Sequence, residues 1–221
     1  MVVEHKQAWH RRLLANSRFW ILAVALTLSV NIIGFTQLIV PAGSLQTIRI
    51  EQTFGFLSLI LLYLAILASP LTKVFSNLPG KEAYLHARRA IGVSTFYYAF
   101  LHVYITFFQQ LDGFSGIKYL NHKYSMSLLL GVFALGILCI MALTSFDWIV
   151  SHMGYKHWKL LHRLVYLASI AILLHVMLIG PHYEHWSSWV SLLTYLAAAF
   201  LFMLELLRMR ITMKKRKATH A

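Results

Sequence analysis

HWKLLHRLVYLASIAILLH, residues 157–175, is the stretch on which the reading of this chain turns. Its length and apolar content are those of a helix that crosses a bilayer, about 20 residues. Yet it carries His157 and His162 at one end and His175 deep inside. An imidazole in hydrocarbon costs several kcal/mol unless its ring nitrogens find partners. Something must therefore be held, or hydrogen-bonded, by this helix.

Similar runs recur along the chain, at about 18–40, 53–70, 90–108, 126–144, 159–179 and 188–207. Of the 221 residues 59% are hydrophobic and only 12% charged, against about 25% charged in a soluble domain. The fold class expected is all-α: an integral membrane bundle of six transmembrane helices. The connections are short, so 18–207 reads as one domain between a basic segment, 1–17, and a basic tail, 208–221. The first run is longer than a signal-peptide core and lacks a clear A-x-A site, so it reads as a retained span. No G-x-G-x-x-G, P-loop or H-E-x-x-H motif occurs, so a reductant for any redox chemistry must come from elsewhere.

The net charge of +13 is sorted by loop. Alternate segments hold 17 lysines and arginines against 3. The positive-inside rule then places both termini in the cytoplasm and the 41–52, 109–125 and 180–187 loops outside, in a multi-pass protein of the cytoplasmic (inner) membrane. The lipid bilayer accounts for the basic residues, and no nucleic-acid partner is expected. The single cysteine, Cys139, excludes an intramolecular disulfide, a thiolate-held iron–sulfur cluster and a C-x-x-C-H haem attachment.

Twelve histidines are present. His5, His10 and His220 fall in the tails, and His86, His122, His152, His157, His182 and His185 in loops or at interfaces. His102 and His175 fall within hydrocarbon. Counting from Ala90 and Leu160, they lie about 18 Å and about 22 Å along their helices at 1.5 Å per residue. Spans three and five run the same way, so the two rings can meet at one level. That arrangement suits haem b held by two axial imidazoles. Ala168, Ala171 and Ile172 share the His175 stripe, and Thr95, Tyr98 and Ala99 that of His102, which leaves room for a macrocycle. Zinc or copper would want three or four clustered ligands, and no acidic residue is expected beside the pair. The plain alternative is two histidines hydrogen-bonded to neighbouring helices.

His162 precedes His175 by 13 residues, about 20 Å of rise, which suits a second haem nearer the cytoplasm. On an ideal helix the two rings point about 140° apart, so both face span three only if the helix is kinked between them. Arg88 and Arg89 are candidate partners for a haem propionate or a phosphate. Anchoring under the positive-inside rule is the simpler role for either.

RRAIGVSTFYYAFLH (88–102), ALTS (142–145) and GYKHWKLLHRLVY (154–166) followed by His175 resemble the ferric-reductase-like transmembrane domain. Within it the likeness is greatest to the YedZ/MsrQ haem-binding membrane subunits of the periplasmic methionine sulfoxide reductase system. LASPL at 67–71 is similar to that group's end of span two. The resemblance implies a six-helix bundle with b haem, one or two, and places the family's histidines on His102, His162 and His175. It implies electrons taken from a cytoplasmic flavin reductase or the quinone pool, with FMN associated, and passed to a periplasmic molybdopterin reductase. It thus implies an electron-transfer (oxidoreductase) subunit rather than a complete enzyme. The rivals are a membrane ferric reductase acting on chelated iron and, from another class, a proton-coupled transporter with histidine relays and no haem. The transporter needs acidic partners within the spans, for which Glu205 is the only candidate.

Overall fold

A computed structural model describes residues 2–178 and 187–219. The outer 180–187 loop expected from the charge pattern, with His182 and His185, falls almost wholly outside the described residues, as does His220. Among the described residues, nine helices and one π-helical turn follow in order: α1 (Val2–Ile39), α2 (Ser44–Val74), α3 (Lys81–Ile105), the π turn (Thr106–Gln110), α4 (Phe114–Ile117), α5 (His122–Leu143), α6 (Asp147–Met153), α7 (Tyr155–Leu161), α8 (Leu164–Leu178) and α9 (Ser187–Thr219). No strand occurs among the described residues.

Among the described residues, six segments are long and apolar enough to cross a membrane: Phe19–Ile39, Ser44–Val74, Lys81–Gln110, His122–Leu143, Tyr155–Leu178 and Trp189–Lys214. Large apolar side chains such as Phe19, Leu38, Phe133, Leu167 and Trp189 point outward along them. In water such a surface would aggregate; in lipid it is the solvated face. The molecule is a multi-pass membrane protein. An even number of crossings brings α1 and α9 to one end of the bundle, the end that also carries the 75–80 and 144–154 connections.

The helices run further than the hydropathy runs at 53–70 and 90–108. Hydropathy detects only the greasy middle of a span, whereas the backbone continues its hydrogen-bond ladder through the polar flanks. The 41–52 segment expected as an outer loop is therefore mostly the first two turns of α2, Arg49 and Glu51 included. Gly80 (φ 73°) opens α3, and Gly154 (φ 79°) turns the chain from α6 into α7. Both adopt the left-handed conformation that a side chain resists.

Two hairpins make the core. α2 pairs most extensively with α3, and α5 with α8. Against the first, α1 adds a cluster in which Ala25, Ile50, Phe54, Tyr98 and Ile105 are buried together. Leu62, Ile66, Leu138 and Val165 join the two hairpins in a second cluster. Ser58 donates to the Thr95 carbonyl across α2 and α3 at 3.0 Å. Tyr98, 1% exposed, donates its hydroxyl to the Ala25 carbonyl on α1 at 2.8 Å. Tyr98→Phe keeps the ring and deletes that bond, so a loss of about 0.6–1.5 kcal/mol is expected in detergent-denaturation titrations.

Candidate functional site

His102 closes the last turn of α3, and His175 lies in the last turn of α8. Their ring centroids are 6.3 Å apart with the rings perpendicular. The helix-rise estimate expected the rings to meet, and they do.

Each ring is anchored from behind by its hairpin partner. His102 Nδ1 lies 2.7 Å from Glu51 Oε1 and 3.2 Å from the Glu51 carbonyl oxygen on α2. His175 Nδ1 lies 2.7 Å from the Ser127 carbonyl oxygen on α5 and 3.0 Å from Ser127 Oγ. That hydroxyl in turn donates to the His175 carbonyl at 3.2 Å. One turn further on stands a glycine in each case. A Cβ on Gly55 would lie 2.9 Å from His102 Nδ1, and one on Gly131 3.1 Å from His175 Nδ1. The stretches EQTFG (51–55) and SLLLG (127–131) are thus built alike: a polar residue that takes Nδ1, and four residues later, on the same helix face, a glycine that lets the ring lie against the backbone.

Anchoring through Nδ1 sets the tautomer and leaves Nε2 of each ring for a ligand-binding role. A metal–imidazole bond of about 2.0–2.1 Å, with roughly 1.1 Å more to the ring centre, puts two rings on opposite sides of one metal about 6.3 Å apart. The observed separation fits. Among the described residues no group of three or more His, Cys, Asp or Glu side chains could hold a metal ion, so a two-imidazole site suits a metal whose other ligands belong to a bound group.

The sequence reading did not single out Glu51, Gly55, Gly131 or Ser127 as site residues. It expected no acid beside the pair and Glu205 as the only acidic candidate within the spans. Both are corrected by Glu51. It lay in a segment read as loop, yet α2 begins at Ser44 and carries it to His102. Glu205 is occupied at the other end of the bundle, where it accepts from Arg208 Nε at 2.6 Å and from the Tyr166 hydroxyl at 2.9 Å. The small residues on the histidine stripes are packed: Thr95, Ala168 and Ala171 are at most 4% exposed, which lets neighbouring helices approach closely.

His162 occupies a second cluster at the end that carries Arg88. The helix is interrupted between His162 and His175: α7 ends at Leu161 and α8 begins at Leu164, with His162 and Arg163 in a turn. His162 Nε2 lies 3.3 Å from Thr144 Oγ1, and its ring packs against Trp158 with centroids 4.2 Å apart. Trp158 donates Nε1–H to the Thr144 carbonyl at 3.0 Å and carries Arg89 over its face at 5.0 Å. Arg89 is also paired with Asp147. Arg88 donates Nε–H to the Ala65 carbonyl on α2 at 2.9 Å. The ALTS and GYKHWKLLHR stretches therefore meet in space. His86, His152 and His157, at the same end, are exposed.

A polytopic helical bundle with two hairpin-borne imidazoles facing each other inside it defines a membrane protein with an internal two-histidine site. The model of the ferric reductase like transmembrane component family matches residues 54–173, and the chain belongs to that family. Curated relatives named protein-methionine-sulfoxide reductase heme-binding subunit MsrQ agree. The Ralstonia nicotianae protein is 28% identical over 158 residues, 71% of this chain and 69% of its own. That of Agrobacterium fabrum is 36% identical over 132 residues, 58% of this chain and 57% of its own. That of Brucella anthropi is 31% identical over 130 residues, 58% and 56%. The chain thus spans little more than half the length of the last two.

Proposed function

We propose that this protein is a b-type haem subunit that passes electrons across the cytoplasmic membrane, with His102 and His175 as the axial ligands. The observation that carries the reading is the 6.3 Å ring separation with both Nδ1 atoms anchored. A haem held by His102 and His175 would supply one-electron transfer. The chain's own residues supply the rest. Glu51 and Ser127 orient the rings, Gly55 and Gly131 admit them, and the surrounding apolar helices exclude water. That division of labour is that of an electron-transfer subunit, not of a complete enzyme.

His162, Thr144, Trp158 and Arg89 form the entry side of the same reading, with Arg88 and Arg89 as candidate partners for a propionate or phosphate. His162 is a candidate ligand of a second haem. Under the positive-inside rule this end faces the cytoplasm. There a flavin reductase, with FMN, or the quinone pool would donate electrons. The MsrQ names of the relatives support a methionine sulfoxide reductase as the periplasmic acceptor, of the molybdopterin type. Reduction of chelated iron is the alternative acceptor chemistry. In domain terms, 18–207 is the haem-binding bundle, flanked by basic segments 1–17 and 208–221.

The Glu51–His102 pair favours one other reading, a haem-free proton relay, because a carboxylate and an imidazole 2.7 Å apart inside a span can share a proton. The deciding experiment is the absorption spectrum of the detergent-solubilised protein, oxidised and dithionite-reduced, with a pyridine haemochrome count per chain. Reduced α and Soret bands of b type are expected. One haem per chain leaves His162 to the entry route, and two make it a ligand. A colourless protein after haem supplementation overturns the cytochrome in favour of the relay.

A further inference from the structure

The two histidines are held by arms of the same build with one chemical difference. Ser127 offers His175 a neutral carbonyl and a hydroxyl, whereas Glu51 offers His102 a carboxylate as well as its carbonyl. The carboxylate is itself seated. Thr106 Oγ1, on the π turn, lies 3.4 Å from Oε1 and donates to the His102 carbonyl at 2.9 Å. With 13% of its side chain exposed, Glu51 has little water to screen its charge. The π turn ends the span, at Thr106–Gln110, and brings Thr106 beside the carboxylate.

We infer that Glu51 is a positioning residue that sets the reduction potential of the haem. This rests on the cytochrome reading above. By accepting the His102 Nδ1–H, the carboxylate makes that imidazole a stronger donor at Nε2. Its negative charge also stabilises the more positive, oxidised iron across a medium of low dielectric. Both effects lower the potential. The Ser127 carbonyl also accepts an Nδ1–H but is neutral, so it raises donor strength less and adds no negative charge; the two histidines are electronically unequal, and the difference comes from one side chain.

The test is an equilibrium redox titration, at one neutral pH, of the detergent-solubilised holoprotein and of Glu51→Gln, Glu51→Asp and Ser127→Ala. EPR spectra of the ferric forms are recorded beside it. In Glu51→Gln the amide oxygen still accepts from Nδ1, so haem is expected to be retained. Its midpoint is expected to shift to more positive potential, with changed low-spin g-values. Glu51→Asp, which keeps the charge, is expected to fall between Glu51→Gln and wild type. Ser127→Ala keeps the carbonyl acceptor and is expected to shift the midpoint less than Glu51→Gln. An unchanged midpoint in haem-replete Glu51→Gln overturns the inference, and so does an equal positive shift in Ser127→Ala, which would make local polarity the cause. If Glu51→Gln cannot hold haem, Glu51→Asp must; loss in both overturns the inference in favour of a packing role. Wild-type protein without haem defeats the cytochrome reading itself, which is a separate result.

Discussion

His102→Ala and His175→Ala are each expected to abolish the mid-membrane haem, taking its reduced α and Soret bands to background, while His162→Ala leaves that haem in place. One imidazole is half of the protein's hold on the iron, and the apolar surroundings offer no substitute ligand. The two variants should differ in a second respect. Alanine at 102 strands the Glu51 carboxylate inside the bundle, and breaking such a buried pair costs up to about 3–5 kcal/mol, less whatever protonation of the acid recovers. Alanine at 175 leaves only the Ser127 carbonyl without its imidazole partner, while the hydroxyl keeps its bond to the carbonyl of residue 175, a cost of about 1–3 kcal/mol. In denaturation of the haem-free proteins, His102→Ala should therefore unfold first. Full haem in both variants would show that the ligands lie elsewhere.

Gly55→Ala is expected to be the more damaging of the two alanine substitutions at the glycines beside the histidines. The new methyl would sit 2.9 Å from His102 Nδ1 and 3.2 Å from Cε1. The ring cannot swing away freely, because Glu51 holds it by the same nitrogen. Overpacking of this kind costs about 1–3 kcal/mol, whereas alanine's better helix propensity returns about 1 kcal/mol. Haem content should fall more steeply than stability, because the displaced group is the ligand itself. Gly131→Ala should follow with a smaller effect, its closest contact being 3.1 Å. Gly136→Ala meets nothing within 4 Å and should be neutral or stabilising by up to about 1 kcal/mol. Haem per chain and detergent-denaturation midpoints for the three variants check the order. Equal behaviour at 55 and 136 would mean that Gly55 does not admit the His102 ring.

Six spans, their antiparallel order and the meeting of His102 with His175 were legible without coordinates, because each follows from a one-dimensional quantity. Hydropathy marks where a helix must satisfy its own backbone in lipid, and a rise of 1.5 Å per residue converts position into depth. The turn between His162 and His175 was legible as a requirement, since an unbroken helix would point the two rings far apart. What stands behind each ring was not legible. Glu51 lies outside the apolar run and reads as loop. Ser127 and Gly55 look like ordinary residues of a membrane helix. Their roles depend on α2 packing against α3 and α5 against α8 in one particular register. By itself, then, the sequence determined the solvent, the number of spans and the position of the histidines along them, all of them properties of single helices. The tertiary structure alone decided that one histidine is backed by a carboxylate and the other by a carbonyl. Which side chain faces which is a property of pairs of helices, settled by side-chain packing between them.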